Sequence, residues 1–412
     1  MPRVLIVAAL LTLCAPIGGA QTPGPSAALP PAIGLDEPGA WACEEVGVGV
    51  EWCHRRFAHL FEAPQSLSLL RVDLTQPGVR VRFAEAAHFS DATPALRLER
   101  TSDIAARTPA VAAVNGDFFD GFAHQGPLII DGHVHSFAPT GHPQATASFG
   151  FDRHDAPRFW PKTADGWVIP TDIADAISGG PMLLQNGSAV TYAADDVFAS
   201  ARHPRTGVCG AKNRTIDLVV ADGRTPEAAG LSLPELAAVM RALGCTSAMN
   251  LDGGGSSTMW IRGKPPTGVV SHPSDDRKFD VFGERAVGAA VLVIAPDVIV
   301  SGIDEATIAR STSATEARWA LPVYFSGVYK VFVRPGAARR AGERVEIEIG
   351  EKPAGAVAID LTGRDQGWVD VGTTSVTIHE GLVPGPVWVP IVLRSTSPGG
   401  MAVDAVRLVQ QR

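Results

Sequence analysis

Apolar residues follow two different patterns along the chain, and the pattern changes near residue 322. Residues 44–297 mix segments of strand and helix periodicity, whereas residues 322–412 alternate apolar and polar positions in the short runs "RVEIEIG", "VWVPIVL", "VYKVFVRPG" and "TSVTIHEG". Short period-two strands separated by turn residues are typical of a β-sandwich. We therefore predict an α+β (mixed α/β) domain with a central mixed β-sheet over 44–297, a linker over 298–321 and an all-β sandwich over 322–412.

One strand–helix–strand unit is predicted clearly in the first domain. "RTIDLVVADGR" is a β-branched strand, "LSLPELAAVMRALG" has helical periodicity, and "CTSAMNL" is a second short strand. Ser232 and Glu235 have capping-box spacing, and Gly244 is suited to end the helix. Because helical crossovers usually join parallel strands, we expect the two strands to run in the same direction. The segment "DGGGSS" then follows the carboxyl end of a strand, where open α/β sheets bind ligands.

The N-terminus has the pattern of a secretory signal over residues 1–20. One Arg precedes an apolar run that is too short to span a bilayer, and small residues end at Ala20. No other stretch has transmembrane character. Residues 21–43, rich in Pro, Gly and Ala, are predicted as a flexible leader. We expect a secreted or periplasmic protein; a lipoprotein anchored at Cys14 is disfavoured by the bulky Leu13 beside it.

Cysteine usage supports export. Four cysteines remain after the predicted cleavage: Cys43, Cys53, Cys209 and Cys245. An even number in an exported chain favours disulfides, and three pairings are compatible with the sequence. We favour the local pairs Cys43–Cys53 and Cys209–Cys245. The spacings match no zinc-ligand pattern.

Composition narrows the class of partner. The 412-residue chain is 45% hydrophobic and 19% charged, and its formal net charge is -8. These values are typical of a soluble globular protein. Because the chain has no basic block, a nucleic-acid partner is not expected.

The glycine-rich segment carries the first candidate site. Successive backbone amides of Gly253, Gly254 and Gly255 are suited to form a nest for an anion such as phosphate. The hydroxyls of Ser256 and Ser257 would add donors, and Asp252 would be a catalytic carboxylate or hold a cation. A plain glycine-rich turn is the alternative. The segment matches neither a P-loop nor a nucleophile elbow.

Other candidate residues follow in short polar segments. "NGDFFD" sets Asn115 and Asp117 beside two Phe rings, and this combination suits sugars, whose rings have apolar faces. Its strand "AVAAV" is expected to end at the same cleft as "DGGGSS". In "RHPRTGVCG", Arg205 is a candidate bidentate phosphate ligand and His203 a candidate proton carrier. The structural alternative, a solvated Arg and a structural His, stays open.

Weaker candidates complete the set. "SGGP" would bring backbone close to a ligand at Gly180, and "QNGS" reads as a hairpin turn. "ADGR" and "GERAVG" supply Asp222, Arg224, Glu284 and Arg285, for which turn and salt-bridge roles are favoured over ligand binding. A metal pair formed by His133 and His135 lacks an evident third ligand.

These segments, taken in order, resemble the phosphodiester glycosidase family, the relatives of the mannose 6-phosphate uncovering enzyme. The resemblance rests on "NGDFF", "SGGPMLLQNG", "HPRTGVCG", "DLVVADGR", "AMNLDGGGSSTMW" and "GERAVGAA", and covers roughly residues 80–295. The last domain is similar to the golvesin C-terminal-like β-sandwich of secreted bacterial enzymes, through "SGVYKVFVRPG", "DQGWVDVGTTSVTIHEG" and "AVDAVRLV". Such domains are suspected of binding glycans or walls, and a purely structural role is the alternative.

The resemblance implies hydrolysis of a sugar-1-phosphodiester on the sugar side of the phosphate. The motif positions it carries over are Asn115, Gly180, Arg205, Thr206, Asp222, Asn250, Asp252, Gly253, Gly254, Ser256 and Ser257, with Glu284 and Arg285 matching less closely. Asp117 departs from the family, whose members often have a small uncharged residue there.

We combine these signals into one hypothesis. The glycine nest and Arg205 would hold the phosphate, Asp252 would act on the sugar, and His203 or Glu284 would move protons. Asn115 and Asn250 would orient substrate hydroxyls. The substrate would be a glycan, cell-wall or exopolysaccharide phosphodiester. The alternatives are a non-catalytic exported glycan-binding protein and an exopolysaccharide assembly factor. No cofactor is evidently required, although a calcium or magnesium ion beside Asp252 and Asp222 is an option.

Overall fold

The described part of the chain is built mostly of β-strands. The computed structural model describes residues 41–87, 89, 98–120, 123–135, 137, 141–264, 266–301, 316–323, 327–335, 344–349, 357–360, 369–376, 387–395 and 403–410. The predicted signal, most of the predicted leader and the middle of the predicted linker lie outside these residues. No helix among them has the length and apolar content needed to span a membrane.

The helices are α1 (Thr101–Ala106), α2 (Val197–Ser200) and α3 (Leu233–Ala242). The strands up to residue 294 are β1 (Ala42–Gly47), β2 (Val50–Leu60), β3 (Ala63–Asp73), β4 (Arg80–Glu85), β5 (Glu99–Arg100), β6 (Ala110–Asn115), β7 (Phe119–Asp120), β8 (Ala123–His124), β9 (Leu128–Ile130), β10 (His133–Val134), β11 (Ala147–Asp152), β12 (Pro157–Pro161), β13 (Ile173–Gly179), β14 (Met182–Gln185), β15 (Ser188–Ala189), β16 (Arg205–Ala211), β17 (Thr215–Ala221), β18 (Cys245–Asn250), β19 (Met259–Ile261), β20 (Ala286–Val287) and β21 (Ala289–Ile294). The later strands are β22 (Asp297–Ser301), β23 (Glu316–Val323), β24 (Gly327–Pro335), β25 (Arg344–Ile349), β26 (Val357–Asp360), β27 (Val369–Val376), β28 (Val387–Ser395) and β29 (Val403–Gln410).

Three sheets form the body of the first part. Their strand orders are β1-β2-β3-β17-β16-β18-β14-β15, β10-β9-β13-β11-β12 and β19-β6-β21-β4. Every pairing between these strands is antiparallel. The predicted α+β class with a central mixed sheet is therefore corrected to a β-rich fold with few helices.

The predicted strand–helix–strand unit is present, with one difference. α3 begins at a capping box formed by Ser232 and Glu235, and Gly244 has φ +89° just after it. β17 and β18 run in the same direction, as expected, but β16 lies between them and pairs antiparallel with both. β16 was not predicted, because its glycines are typical of loops. Gly207 lets α3 pack closely, since a Cβ there would lie 2.4 Å from the Met240 methyl and would force that side chain to shift.

A single hydrophobic cluster joins the three large sheets. It contains Leu70 and Val208 from the first sheet, Phe149 from the second, and Val114 and Val291 from the third, all less than 2% exposed. Each fully buried side chain of this size contributes about 1.5–3 kcal/mol to stability. The shared core therefore holds the ends of β6 and β18, which carry Asn115 and Asn250, in one region.

The last part of the chain forms two four-stranded antiparallel sheets, β22-β29-β24-β27 and β23-β28-β25-β26. The strands expected in "RVEIEIG", "VWVPIVL" and "VYKVFVRPG" are confirmed; "TSVTIHEG" is described only through Val376. Within the predicted linker, residues 298–301 pair with β29 and residues 316–321 pair with β28. The domain boundaries stay a prediction. The face-to-face packing of a sandwich stays a prediction.

Both favoured disulfides are present. Cys43 and Cys53 are directly opposed on β1 and β2, and Cys209 on β16 is bonded to Cys245 at the start of β18. The second bridge encloses α3 with a sequence separation of 36 residues, against 10 for the first.

We expect the longer bridge to contribute more stability. In the chain-entropy account a disulfide restricts the unfolded state more as its loop lengthens. The double variant Cys209→Ala/Cys245→Ala should lose about 4 kcal/mol of unfolding free energy, and Cys43→Ala/Cys53→Ala about 3 kcal/mol. Urea unfolding of both variants measures the difference. A larger loss in the Cys43/Cys53 variant would contradict the loop-length account.

Candidate active site

The side chain of Asn115 joins the ends of two sheets. Its Nδ2 donates to the Asp252 carbonyl at 2.8 Å, and its Oδ1 accepts from Thr206 Oγ1 at 2.7 Å and from the Thr258 amide at 3.1 Å. Asn115 and Thr206 are fully buried. The prediction that "NGDFF" and "DGGGSS" meet is confirmed. Asn115 acts on the backbone, however, and those three bonds occupy the amide that we expected to orient substrate.

The glycine-rich turn does not form the predicted anion nest. Its amides donate within the protein: Gly253 to Asp252 Oδ1 at 2.8 Å, Gly254 to the Pro204 carbonyl at 2.8 Å, Ser256 to the Gly253 carbonyl at 3.3 Å and Ser257 to the Gly254 carbonyl at 3.2 Å. These donors are therefore not available to a phosphate.

The glycines of this turn leave room for close neighbouring side chains. Gly254 has φ +64°, a left-handed conformation that favours glycine. A Cβ on Gly255 would lie 1.7 Å from Asp275 Oδ1 and 2.4 Å from Arg285 Nη2. The glycines thus let an arginine–carboxylate pair approach the turn.

Asp252 carries the one carboxylate of this turn. Its side chain is partly buried and its Oδ1 accepts from the Gly253 amide. Burial raises the pKa of Asp252 to about 6, against the opposing effect of hydrogen bonds from the Ser256 hydroxyl and the Gly253 amide. The nearby negative charge of Asp117 adds to the rise. The carboxyl group therefore titrates close to neutral pH, in the range useful for acid–base or nucleophilic chemistry.

A cavity of about 560 Å³ opens in front of Asp252. Its other lining residues are aromatic, cationic, acidic or backbone groups: Phe118, Phe119, Phe198, Arg205, Arg224, Arg285, His142, His203, Asp120, Gly253 and Gly254. Aromatic faces suit the apolar faces of sugar rings, and arginines suit phosphate. The cavity therefore combines the surfaces that a sugar phosphate needs with a carboxyl group of raised pKa.

Arg205 is held by the protein rather than presented to a ligand. It is 1% exposed, its Nε donates to the Leu231 carbonyl at 3.1 Å, and its Nη2 donates to the carbonyls of Phe198 at 2.7 Å and Ala201 at 3.0 Å. Burial lowers the pKa of Arg205 to about 10, with Arg224 contributing. Because the carbonyls already bind Nε and Nη2, bidentate binding of a phosphate by Arg205 is not supported, although the residue lines the cavity.

Two arginines at the mouth of the cavity are better placed. Arg224 is exposed, has φ +65°, and lies against the turn, since a Cβ on Gly254 would be 2.9 Å from its Nη2. A non-glycine residue in this conformation costs of order 1 kcal/mol, and such strain is commonly found at functional sites. Arg285 forms a bidentate pair with Asp275, at 2.8 Å and 2.6 Å. Neither arginine was among our main candidates.

His203 lies beside these arginines. Its Nδ1 is 3.4 Å from Arg224 Nη2, and it is partly buried. Burial lowers the pKa of His203, and the charges of Arg205 and Arg224 lower it further. The lowered pKa favours the neutral ring, and His203 lines the cavity. Its role as a proton carrier stays a prediction.

Three predicted residues serve the framework instead. Glu284 accepts from the Ser102 amide at 2.8 Å and the Ser102 hydroxyl at 2.6 Å, so it binds the first turn of α1. Burial raises the pKa of Glu284, but the residue does not line the cavity. Asn250 Nδ2 donates to the carbonyls of Gly180 at 2.8 Å and Leu251 at 2.6 Å, which ties "SGGP" to the end of β18.

Asp222 is the third framework residue. Its carboxylate accepts hydrogen bonds from Ser66 Oγ at 2.5 Å and from the His272 amide at 2.8 Å. It also lies 2.8 Å from His272 Nδ1. It is 2% exposed. Asp222 therefore anchors the loop that carries His272 to β3 and does not line the cavity.

Asp117 belongs to a charged network, centred on the buried His124, that no sequence motif predicted. The Asp117 Oδ2 atom lies 2.8 Å from His124 Nδ1. On the other side of the ring, His124 Nε2 lies 3.1 Å from Glu85 Oε1. The same Glu85 oxygen lies 3.3 Å from His135 Nδ1. Burial opposes protonation of His124, but Asp117 and Glu85 raise its pKa to about 9. These residues come from separated segments, and no local motif joins them. The predicted metal pair is not supported, since His135 faces Glu85 while His133 is exposed.

Hydroxyl groups of the turn remain candidates for substrate contact. Ser257 and Thr258 are 2% exposed or less, and among the described residues their hydroxyls have no hydrogen-bond partner. The groups of three potential metal ligands found in the described residues are the two disulfides, each with one acid. The divalent cation beside Asp252 and Asp222 stays a prediction, although the Asp222 oxygens are already occupied.

Comparison with known proteins supports the resemblance. Residues 108–294 match the phosphodiester glycosidase family. The resemblance inferred from the motifs is thus confirmed for this segment, which contains the cavity and Asp252. The similarity to the golvesin C-terminal-like domain stays a prediction.

Individual relatives are distant. The SPbeta prophage-derived uncharacterized protein YomE of Bacillus subtilis is 27% identical over 108 residues, which are 22% of this chain and 17% of the relative. This chain therefore spans less than a fifth of that curated relative.

Solved structures are similar at low identity. The catalytic domain of zebrafish N-acetylglucosamine-1-phosphodiester alpha-N-acetylglucosaminidase, auto-inhibited by its pro-peptide, is 19% identical with a TM-score of 0.47, over 64% of this chain and 86% of that one. A putative exported protein from Burkholderia pseudomallei is 20% identical with a TM-score of 0.43, over 56% of this chain and 74% of that one.

Replacement of Arg205 should reduce the free energy of unfolding much more than replacement of Arg224. Arg205→Met leaves three buried carbonyls without their donor, so we expect a loss of about 3 kcal/mol or more in unfolding free energy. Arg224→Asn keeps a residue that tolerates positive φ at an exposed position, and should change stability by no more than about 0.5 kcal/mol. Urea unfolding checks both values; equal losses would contradict the division of roles.

Proposed function

We propose that this protein is a hydrolase that cleaves a sugar-1-phosphodiester at the bond between C1 and the phosphate oxygen. The observation that carries the proposal is the cavity in which Asp252, an aromatic wall and two arginines meet. The family match over residues 108–294 supports the same chemistry. Export of the protein and a cell-wall or exopolysaccharide substrate belong to the same proposal.

The sugar would lie against the aromatic part of the cavity. Phe118 stacks on His142 with ring centroids 5.0 Å apart, and Phe118 also contacts Phe198 edge-on at 6.4 Å. These rings form a preorganised apolar surface. The phosphate would lie at Arg224 and Arg285, where charge-assisted hydrogen bonds stabilise both the substrate anion and the departing phosphate monoester.

Asp252 would act at C1. Bond cleavage leaves positive charge on the sugar ring and negative charge on the departing phosphate. The ionised carboxylate would stabilise that cation or take the proton from the attacking water, whose oxygen ends on C1. Neutral His203 is the second candidate for the proton. A phosphate monoester needs less protonation to depart than an ordinary alcohol does, so a strong general acid is not required.

Asp252→Asn tests the catalytic role. Removing an electrostatic group of the transition state commonly lowers kcat by about 10²–10³. We expect a loss of this size on N-acetylglucosamine-1-phosphate methyl diester, with product analysis by chromatography. Asp165→Asn, on an exposed turn, is the matched control. In wild type, kcat/KM should rise as pH increases through about 6, since the ionised form of Asp252 is the active one.

Near-wild-type turnover by Asp252→Asn would contradict a catalytic role for Asp252. If wild type binds the diester and never hydrolyses it, the non-catalytic glycan-binding alternative takes its place.

Asp252 should also lower stability near neutral pH. Its folded pKa of about 6 lies above its ordinary value of 3.8, so the native state holds its proton more tightly than the unfolded state does. The free energy of unfolding therefore falls as pH rises between these values and stays lower above them. Asp252→Asn should be more stable than wild type at pH 7, on the order of 1–3 kcal/mol, and lose that advantage near pH 4. Chemical denaturation at both pH values measures this; an advantage that is unchanged at pH 4 would refute it.

A further inference from the structure

A second cavity of about 540 Å³ adjoins the first. It is lined by Arg224, Ser274, Asp275, Arg277 and Arg285. Arg224 and Arg285 line both cavities, so this arginine pair stands at their boundary. A phosphodiester held by the pair would place its sugar in the first cavity and the group on its other ester oxygen in the second.

The second cavity is electropositive. Its one carboxylate, Asp275, is already paired bidentately with Arg285 at 2.8 Å and 2.6 Å. Within the part of the chain that the structure describes, no carboxylate forms an ion pair with Arg224 or Arg277. Two guanidinium groups therefore face this space without a countercharge from those residues.

Ser274 provides an independent sign of a ligand. It is 3% exposed, lines the second cavity, and its Oγ has no hydrogen-bond partner among the described groups. A buried hydroxyl without a partner is unfavourable unless something else satisfies it. The Arg277 amide donates to the Ser274 carbonyl at 3.1 Å, so the hydroxyl and the Arg277 side chain belong to one tight turn.

We propose that the second cavity binds a second phosphate carried by the leaving group. The inference rests on the proposed function and narrows its substrate to phosphodiesters whose leaving group is itself phosphorylated. Arg277 supplies charge and bidentate donors, Ser274 supplies a hydroxyl, and Arg224 reaches both phosphates from the boundary. A polymer of repeating phosphodiester units and a small phosphorylated leaving group share this chemistry.

The test compares two substrates with the same sugar. One is the methyl diester of N-acetylglucosamine 1-phosphate, and the other carries glycerol 3-phosphate in place of methanol. We expect wild type to show about tenfold higher kcat/KM for the phosphorylated substrate, through a lower KM. Arg277→Asn should bring the ratio close to one, whereas Lys278→Gln, the exposed neighbour outside the cavity, should keep it. Asn is chosen because residue 277 has φ +60°.

Each outcome decides one claim. A wild-type ratio near one, or a ratio that Arg277→Asn leaves unchanged, overturns the second phosphate site while leaving the hydrolase intact. If neither substrate is hydrolysed, the proposed function fails. Calorimetry with glycerol 3-phosphate, compared with glycerol, then still tests the second phosphate site. Binding of glycerol 3-phosphate that is lost in Arg277→Asn supports the site, and absence of binding overturns it. Substrates with two and four phosphodiester repeats then separate the sources, since only a polymer-directed enzyme gains further with length.

Discussion

The hydrogen bonds of one buried amide, that of Asn115, determine where the site forms. Asn115 ends β6 of one sheet. Thr206 on β16 and the Asp252 carbonyl after β18 belong to the neighbouring sheet, and Thr258 directly precedes β19 of the Asn115 sheet. A buried amide is stable only when its donors and acceptor are satisfied. This requirement places Asp252 at a fixed distance from the sheet ends, and the cavity forms around it.

Charge is divided between framework and cavity. Asp222 and Glu284 are bound by backbone and side-chain partners and do not line the cavity, whereas Arg205, Arg224 and Arg285 line it. Arg205 is bound by backbone carbonyls and Arg285 is paired with Asp275, while Arg224 has no carboxylate partner among the described residues. Buried charges need such partners because the desolvation penalty is otherwise too large. A charged residue in a motif is therefore a weak guide to ligand contact until its own hydrogen bonds are known. The charged network of Asp117, His124 and Glu85 follows the same rule, since the imidazolium compensates both carboxylates.

Local signals predicted the elements well. The capping box of α3, the Asn186-Gly187 hairpin turn, both disulfides and the meeting of "NGDFF" with "DGGGSS" were all evident from short segments, because each depends on neighbouring residues or on one strong motif. The prediction of a mixed sheet was wrong because the position of β16 depends on pairing with a strand distant in sequence. The glycine-rich sequence of β16 does not indicate a strand. The anion nest was wrong because amide partners such as the Pro204 carbonyl lie far away in sequence.

The sequence by itself determined the family resemblance and its candidate groups: a carboxylate, aromatic rings and cations in segments similar to the phosphodiester glycosidases. Only the tertiary structure decided which members of that set touch open space. Arg224 and Arg277 adopt positive φ and lack a countercharge among the described residues, whereas Arg205 is enclosed by three carbonyls. Composition and spacing cannot separate these arginines, because hydrogen-bond partners and burial are set by contacts between distant segments.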